Sequence, residues 1–135
     1  MKTEPAPDVR QRIGEIVKGL GMKHVDPERL VCMRSRGSSS RAIARIWSLP
    51  RIWQKALNVE AHYLIEVVSE KFDKLSKDDK DRTLIHELAH IPKTFSGAVL
   101  SHNAVHFDGR GGFIRRKIDS KMIEKLFREL SEKES

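Results

Sequence analysis

A chain of 135 residues can bury one hydrophobic core but is short for two domains of ordinary size, so we expect a single domain over residues 1–135. Apolar residues make up 39% of the chain and charged residues 33%, a balance that excludes an intrinsically disordered protein. The apolar runs are far shorter than the roughly 20 residues of a membrane-spanning helix, and "MKTEPAPDVRQR" lacks the apolar core of a signal peptide, so we expect a folded, cytoplasmic protein.

The chain carries a net charge of +7, and its basic residues are concentrated in two stretches. Residues 33–58 contain six basic residues and no acidic residue, and "GRGGFIRRK" contains four more basic residues. Such a surface can attract phosphate backbones or acidic proteins, which makes DNA a candidate partner. The alternative is an ordinary solvated basic face.

The N-terminal part is predicted to form an amphipathic helix, a strand and a loop. Apolar residues at helical spacing, two prolines in front and two glycines at the end predict a helix over residues 5–20. "RLVCMRSR" predicts a short strand, in which the single cysteine, Cys32, is expected to be a buried and inert thiol. "RGSSSRAIAR" predicts a loop without a nucleotide role, because it lacks the G-K-[ST] ending of a phosphate-binding loop.

The middle of the chain is predicted to form two strands. In "AIARIWSLPRIWQKAL" apolar and basic residues alternate until Pro50, which predicts a strand, a turn and then a short helical or extended piece. We expect Trp47 and Trp53 to be core residues or the wall of a groove rather than stacking platforms for nucleic acid. "AHYLIEVVSEKF" is rich in β-branched and aromatic residues and predicts the second strand.

Two helices are predicted in the second half of the chain. In "LSKDDKDRTLIHELAHIP" Ser76 and Asp79 have the spacing of a capping box, acidic residues crowd the first turn, and Pro92 marks the end. "DSKMIEKLFRELSEK" predicts a C-terminal amphipathic helix with Asp119 as a cap.

The first of these helices contains the H-E-x-x-H arrangement, formed by His86, Glu87 and His90. Side chains four residues apart lie on the same face of a helix, so the two imidazole rings can present nitrogens to one Zn²⁺ ion. Glu87 lies one step further round the helix, where its carboxylate can act as a general base on a metal-activated water. The spacing predicts a catalytic metal centre; the alternative is a solvated helix with two idle histidines.

A catalytic zinc site uses three protein ligands and keeps one position open, so a third ligand is required. His102 is the first choice, because the ten residues of "PKTFSGAVLS" contain a glycine and are long enough to turn back toward the helix. His106 is the second choice and would otherwise line the pocket or bind a transition-state oxygen. Asp108 is a weaker third choice. Two histidines outside this cluster are assigned no role: His24 and His62.

Three stretches, "ARIWSLPRIWQKAL", "HYLIEVVSEKFDKL" and "LIHELAHIPKTFSGAVLSHN", resemble the metallopeptidases of archaeal genomes and phages, small zincin-like proteins related in outline to SprT-like proteases. The resemblance covers residues 9–130 and implies an α+β minimal zincin fold. In such a fold a small twisted sheet, antiparallel or mixed, packs on the active-site helix, and helices flank it at both ends. The resemblance also implies a catalytic site in which His86, His90 and His102 are the zinc ligands and Glu87 is the general base.

The sequence departs from two longer zincin signatures. Lys93 stands where metzincins have glycine, and a glutamate ligand on a second helix would have to come from the region of Glu124, far along the chain. The three-histidine arrangement is therefore the one that the resemblance supports.

These observations predict a zinc-dependent endopeptidase. Its peptide substrate would pair with an edge strand, for which "HYLIEVV" is the candidate, and His106, Tyr63 or Arg110 would stabilise the oxyanion. Zn²⁺ is the expected cofactor, although Co, Ni, Mn or Fe can occupy such a site. One rival is a basic nucleic-acid-binding protein with a structural or idle metal site, and the two can combine in a protease that acts on DNA-bound proteins. A second rival is an idle metal protein or a hydrolase of other substrates.

Overall fold

The computed structural model describes residues 1–101, 103–107 and 113–135, with only the backbone given for the strands between 103 and 117. Within these ranges the chain has an α+β fold with five α-helices, a four-stranded mixed sheet and a two-stranded sheet. In chain order the elements are β1 (Lys2–Pro5), α1 (Pro7–Gly19), β2 (Leu30–Arg36), β3 (Ala44–Ser48), α2 (Arg51–Leu57), β4 (Tyr63–Val68), α3 (Ser69–Phe72), α4 (Lys77–Ala89), β5 (Asn103–Phe107), β6 (Phe113–Lys117) and α5 (Ser120–Glu134).

The strand order of the larger sheet is β1-β2-β4-β3. β2 is parallel to β4, whereas β1 is antiparallel to β2 and β3 is antiparallel to β4. The prediction that "HYLIEVV" is an edge strand is therefore wrong, because β4 is paired along both of its sides. Ile65 of β4, for example, lies between Cys32 of β2 and Ile46 of β3. The nearly unbroken apolar run of β4 is typical of such a central strand, and the edge on this side is β3.

The hydrophobic core lies between one face of this sheet and the helices. Tyr63, Ile65 and Val67 alternate along β4 with their side chains on the core face, and all three are almost fully buried. The facing helical residues of the same cluster are Val9, Ile13 and Ile16 of α1, Leu84, Ile85 and Leu88 of α4, and Ile123 and Leu130 of α5. The two predicted terminal helices are thus confirmed, and their apolar stripes contribute to one core.

Cys32 is confirmed as a buried thiol. It lies in the core cluster, and burial raises its pKa to about 11. Since the thiolate is the reactive form, the thiol is inert near neutral pH.

Helix α4 is held firmly at its start and in its middle. The Ser76 hydroxyl accepts a hydrogen bond from the backbone N–H of Asp79 at 3.2 Å, so the predicted cap is confirmed. Arg12 of α1 donates to both carboxylate oxygens of the buried Asp81 at 2.8 and 2.9 Å, and also to Glu134 of α5. Removal of one partner of a buried ion pair leaves the charge of the other partner buried and uncompensated. This cluster therefore fixes α4 relative to both terminal helices.

Of the two places predicted for Trp47 and Trp53, the core or the wall of a groove, the core is wrong, since these residues are 51% and 54% exposed. Trp47 lies on the face of the sheet opposite the helices, where its indole N–H donates to Glu66 at 2.8 Å. Trp53 lies on α2, and none of the residues of this helix is buried. The apolar side chains of α2 therefore do not contribute to the core.

No helix among the residues described is long and apolar enough to cross a bilayer.

Candidate metal centre

His86 and His90 lie side by side at the C-terminal end of α4. Their ring centroids are 5.1 Å apart, with an angle of 24° between the ring planes. The spacing follows from the helix, because residues four apart lie one above the other. Two imidazole rings that coordinate the same tetrahedral Zn²⁺ ion, each with a Zn–N distance of roughly 2.0–2.1 Å, would have ring centroids about 5 Å apart. The two rings therefore have a separation that fits shared coordination of one ion.

The ring of His90 is oriented by the chain that returns to the helix. Its Nδ1 is hydrogen-bonded to the carbonyl oxygen of Leu100, and the backbone N–H of Leu100 donates to the carbonyl of His90 at 2.8 Å. A carbonyl can only accept, so Nδ1 carries the proton and the lone pair of the neutral ring is on Nε2. Histidines that bind metals commonly have this second hydrogen bond to a carbonyl. The proton on Nδ1 and the lone pair on Nε2 therefore fit a role of His90 as a metal ligand.

Glu87 lies beside the two histidines and is partly buried. Burial disfavours its charged form and raises the pKa of the carboxyl group to about 7. A divalent cation close by would offset this penalty, since an opposite charge favours the carboxylate. The environment of Glu87 is therefore suited to a position next to a bound metal ion.

The three side chains of the motif line an open groove of about 480 Å³. One wall is the edge strand β3, through Ala44, Arg45 and Ile46, and the other is the segment Val99–Ser101. Four of the six wall side chains are aliphatic, and Arg45, Ser101 and the three motif residues supply the polar groups. A candidate base and two candidate ligands therefore line one groove.

The segment that forms the second wall is positioned by Tyr63 and Gln54. The Tyr63 hydroxyl accepts from the N–H of Gly97 at 2.8 Å and donates to the carbonyl of Ala98 at 2.7 Å. Gln54 donates to the carbonyl of Ser96 at 3.3 Å and to that of Leu49 at 2.8 Å. The side chain of Tyr63 is 1% exposed, so the prediction that it is a candidate oxyanion donor is wrong. Its role is to hold the wall.

Sequence reasoning missed Gln54 and Gly97 as residues that shape the site. Gly97 has a φ of +98°, a conformation that residues with a side chain rarely adopt. A Cβ there would overlap the side-chain nitrogen of Gln54 and lie 3.1 Å from the carbonyl oxygen of Leu49. The "SG" pair before "AVLS" was the only signal in the sequence.

Replacing Gly97 with alanine should destabilise the protein by more than the left-handed backbone penalty of about 1–2 kcal/mol, because the added Cβ would also displace Gln54 from its hydrogen bonds to Leu49 and Ser96. Gly21→Ala is the matched control, because Gly21 has a φ of +61° but nothing lies within 4 Å of a Cβ there. It should cost only the backbone penalty. Urea unfolding of both variants measures the difference, and equal losses would show that the wall segment is not tightly packed at Gly97.

The structure gives no side chain for the other residues that were predicted to belong to the site. His102, Asp108 and Arg110 lie outside the described residues, and for His106 in β5 only the backbone is given. Within the ranges that the structure covers, no three His, Cys, Asp or Glu side chains are grouped so that they could hold a metal ion. Of the predicted site, the structure places His86, Glu87 and His90 along one groove, and the two histidines are the candidate ligands among them.

A comparison with protein-family models gives one family, described as "Putative phage metallopeptidase", whose model matches residues 1–131. No curated protein and no solved structure matches the chain. The match includes the whole sheet, the helix that bears the histidines and both walls of the groove.

Proposed function

Since this chain belongs to the phage metallopeptidase family, we propose that it is a zinc-dependent endopeptidase in which His86, His90 and His102 hold the metal and Glu87 is the general base. A metallopeptidase family implies a metal cofactor and peptide hydrolysis. The observation that carries the proposal is the groove in which two adjacent imidazoles and a partly buried carboxylate face a common space. Three histidines favour Zn²⁺ over harder divalent ions.

His102 is proposed as the third ligand because the described chain leads toward the two histidines. Leu100 is hydrogen-bonded to His90 through both its N–H and its carbonyl group. Ser101, the residue before His102, lines the groove together with Glu87. A donor at the next position would complete a site with three protein ligands and one open position.

The bound ion would polarise the scissile carbonyl and lower the pKa of water to roughly 7. Glu87 accepts the proton of the attacking water and then transfers it to the nitrogen of the leaving amine. The Nδ1 hydrogen bond of His90 to Leu100 keeps this ring in one orientation and one tautomer. The chain thus supplies a base, an oriented ligand and a groove next to both.

The peptide substrate is proposed to bind along β3 rather than β4. β3 is one edge strand of the four-stranded sheet, and its residues Ala44, Arg45 and Ile46 form one wall of the groove. An extended peptide can add to such an edge through backbone hydrogen bonds, which gives little sequence selectivity. We propose that the sheet, the helix α4 and the helices at both ends of the chain form a minimal zincin in a single domain.

The nucleic-acid alternative has less support from the basic residues. Arg34 is paired with Asp8 and Asp73, Arg36 with Glu4, and Arg45 with Glu66. Three of the six basic residues between 33 and 58 are therefore already neutralised by carboxylates of the same chain. A protease that acts on DNA-bound proteins would have to use the remaining ones, and phosphate contacts of this kind would make binding strongly salt-dependent.

The proposed activity is tested with an unfolded protein such as reduced casein. We expect cleavage that stops when 1,10-phenanthroline removes the metal and returns when Zn²⁺ is added back to the dialysed enzyme. Heat-denatured protein with added Zn²⁺ serves as the control for cleavage by free metal. Cleavage that continues unchanged after the metal has been removed would refute a metal-dependent peptidase.

A further inference from the structure

Exposed apolar side chains are concentrated in one short stretch of the chain. Of the nine large hydrophobic residues that are exposed in the described part, six lie between residues 43 and 59. They are Ile43, Trp47, Ile52, Trp53, Leu57 and Val59. Single exposed apolar residues are ordinary, whereas a cluster marks an interaction surface.

Helix α2 presents the most exposed of these residues. Ile52, Trp53 and Leu57 are 76%, 54% and 56% exposed, and no residue of the helix is buried. At 3.6 residues per turn the apolar positions 52, 53, 56 and 57 share an arc of about 140°. Gln54 lies outside this arc and binds the carbonyl groups of Leu49 and Ser96. The helix is thus attached by its polar side and turns its apolar side outward.

The same helix is positively charged. Arg51 and Lys55 are four residues apart; Lys55 lies about 60° from the Ile52 edge of the apolar arc, and Arg51 lies behind it at about 100°. Residues 33–59 contain no Asp or Glu. Among the residues that the structure describes, no carboxylate lies within ion-pair distance of Arg51 or Lys55. Uncompensated positive charge opposes the docking of a second copy of this chain and favours an anionic partner.

We propose that the outward side of α2, formed by Ile52, Trp53 and Leu57 with Lys55 at its edge and Arg51 behind Lys55, binds the surface of an anionic lipid bilayer. A helix with a protruding apolar face bordered by basic residues lies in the interface of a bilayer, with the apolar side chains below the headgroups. Tryptophan is enriched at this depth, and long basic side chains reach back to the anionic headgroups. The binding is peripheral and independent of the peptidase reaction.

Two features favour lipid over nucleic acid or a protein segment. Bases stack on aromatic rings, and Ile52 and Leu57, two of the three exposed apolar side chains of α2, are aliphatic. A helical peptide would need an apolar groove to receive it, whereas the apolar side chains of α2 project from the protein. A fluid interface accepts protruding side chains without a preformed cavity.

The two tryptophans of the chain allow a direct test, since both lie in this stretch. In Trp47→Phe, Trp53 is the only tryptophan, and excitation at about 295 nm selects its emission over that of Tyr63. Vesicles of equimolar phosphatidylcholine and phosphatidylglycerol should shift its emission to shorter wavelength, and lipids that carry bromine in the acyl chain should quench it. Pure phosphatidylcholine vesicles should bind much more weakly. In Trp53→Phe the shift should be small.

The variants separate the contributions of the apolar and the basic residues. Ile52→Ser and Leu57→Ser should each weaken binding to the mixed vesicles about tenfold or more, and Arg51→Gln and Lys55→Gln about fivefold each. Val31→Thr is the control, because Val31 is equally apolar and 43% exposed but lies on β2. Thermal melting checks that every variant is folded.

The proposal is wrong if the mixed vesicles leave the emission of Trp53 unchanged, or if Val31→Thr weakens binding as much as Ile52→Ser. It is also wrong if a single-stranded oligonucleotide shifts the emission and the vesicles do not, which would identify nucleic acid as the ligand of α2.

Discussion

Glu87→Gln should lower the rate of peptide hydrolysis by about 10²–10⁴-fold while the protein keeps its metal. The amide has nearly the size and shape of the carboxyl group, so the groove between β3 and Val99–Ser101 should be unchanged. It has no basic oxygen that can accept the proton of the attacking water. The loss should appear in kcat, with little change in KM, because the missing proton transfer belongs to the chemical step.

The control for Glu87→Gln is Asp78→Asn on the same helix. Asp78 is exposed in the first turn of α4, and its replacement removes one negative charge without touching the groove. Its activity should stay close to that of the parent chain. If Glu87→Gln retained parental turnover, another group would have to be the base and the role proposed for Glu87 would be wrong.

His86→Ala and His102→Ala should each weaken zinc binding by at least about 100-fold. Loss of an outer hydrogen-bond partner already lowers metal affinity 10–100-fold, and loss of a ligand removes a bond to the ion itself. Two imidazoles remain in each variant and can retain only weak binding. Competition against a chromophoric chelator measures the dissociation constant of each variant.

Two further histidine variants make this comparison specific. His62 precedes β4, and its Nδ1 faces the carbonyl of Glu60 rather than the groove, so His62→Ala should bind zinc like the parent chain. His106→Ala should also retain its metal if His102 is the third ligand. Loss of zinc in His106→Ala with normal binding in His102→Ala would instead make His106 the ligand.

The sequence was a good guide to elements that depend on neighbouring residues. Helix α4 begins at Ser76 and ends before Pro92 because capping and the restriction before proline act within one turn. The rings of His86 and His90 are adjacent because helix geometry alone places residues four apart together. The terminal helices followed from periodicity in the same way, whereas the α+β class was implied by the family resemblance.

Features that depend on distant residues could not be predicted in this way. Whether β4 is central or at the edge is decided by its pairing with β2 and β3, and the residues of a single strand do not encode its neighbours. Tyr63 is separated by more than thirty residues from Gly97 and Ala98, to which its hydroxyl binds. A side chain that could serve catalysis by its chemistry is instead used to hold the wall of the groove.

Trp47 and Trp53 show a second limit of sequence reasoning. Their size and apolar character favour burial, yet both are more than half exposed. Which residues cover a given surface is decided by the whole fold. Helix α2 is attached through the hydrogen bonds of Gln54 to the carbonyl groups of Leu49 and Ser96, and the side chain of Trp53 is directed outward. Residue type alone therefore did not predict the exposure of the two tryptophans.

If His86, His90 and His102 hold one divalent ion beside Glu87, the purified protein should contain that ion. Elemental analysis should find close to one zinc ion per chain in the parent protein and in Glu87→Gln, and almost none in His86→Ala and His102→Ala. A parent protein that contains no metal after purification, and binds none when zinc is supplied, would contradict the account.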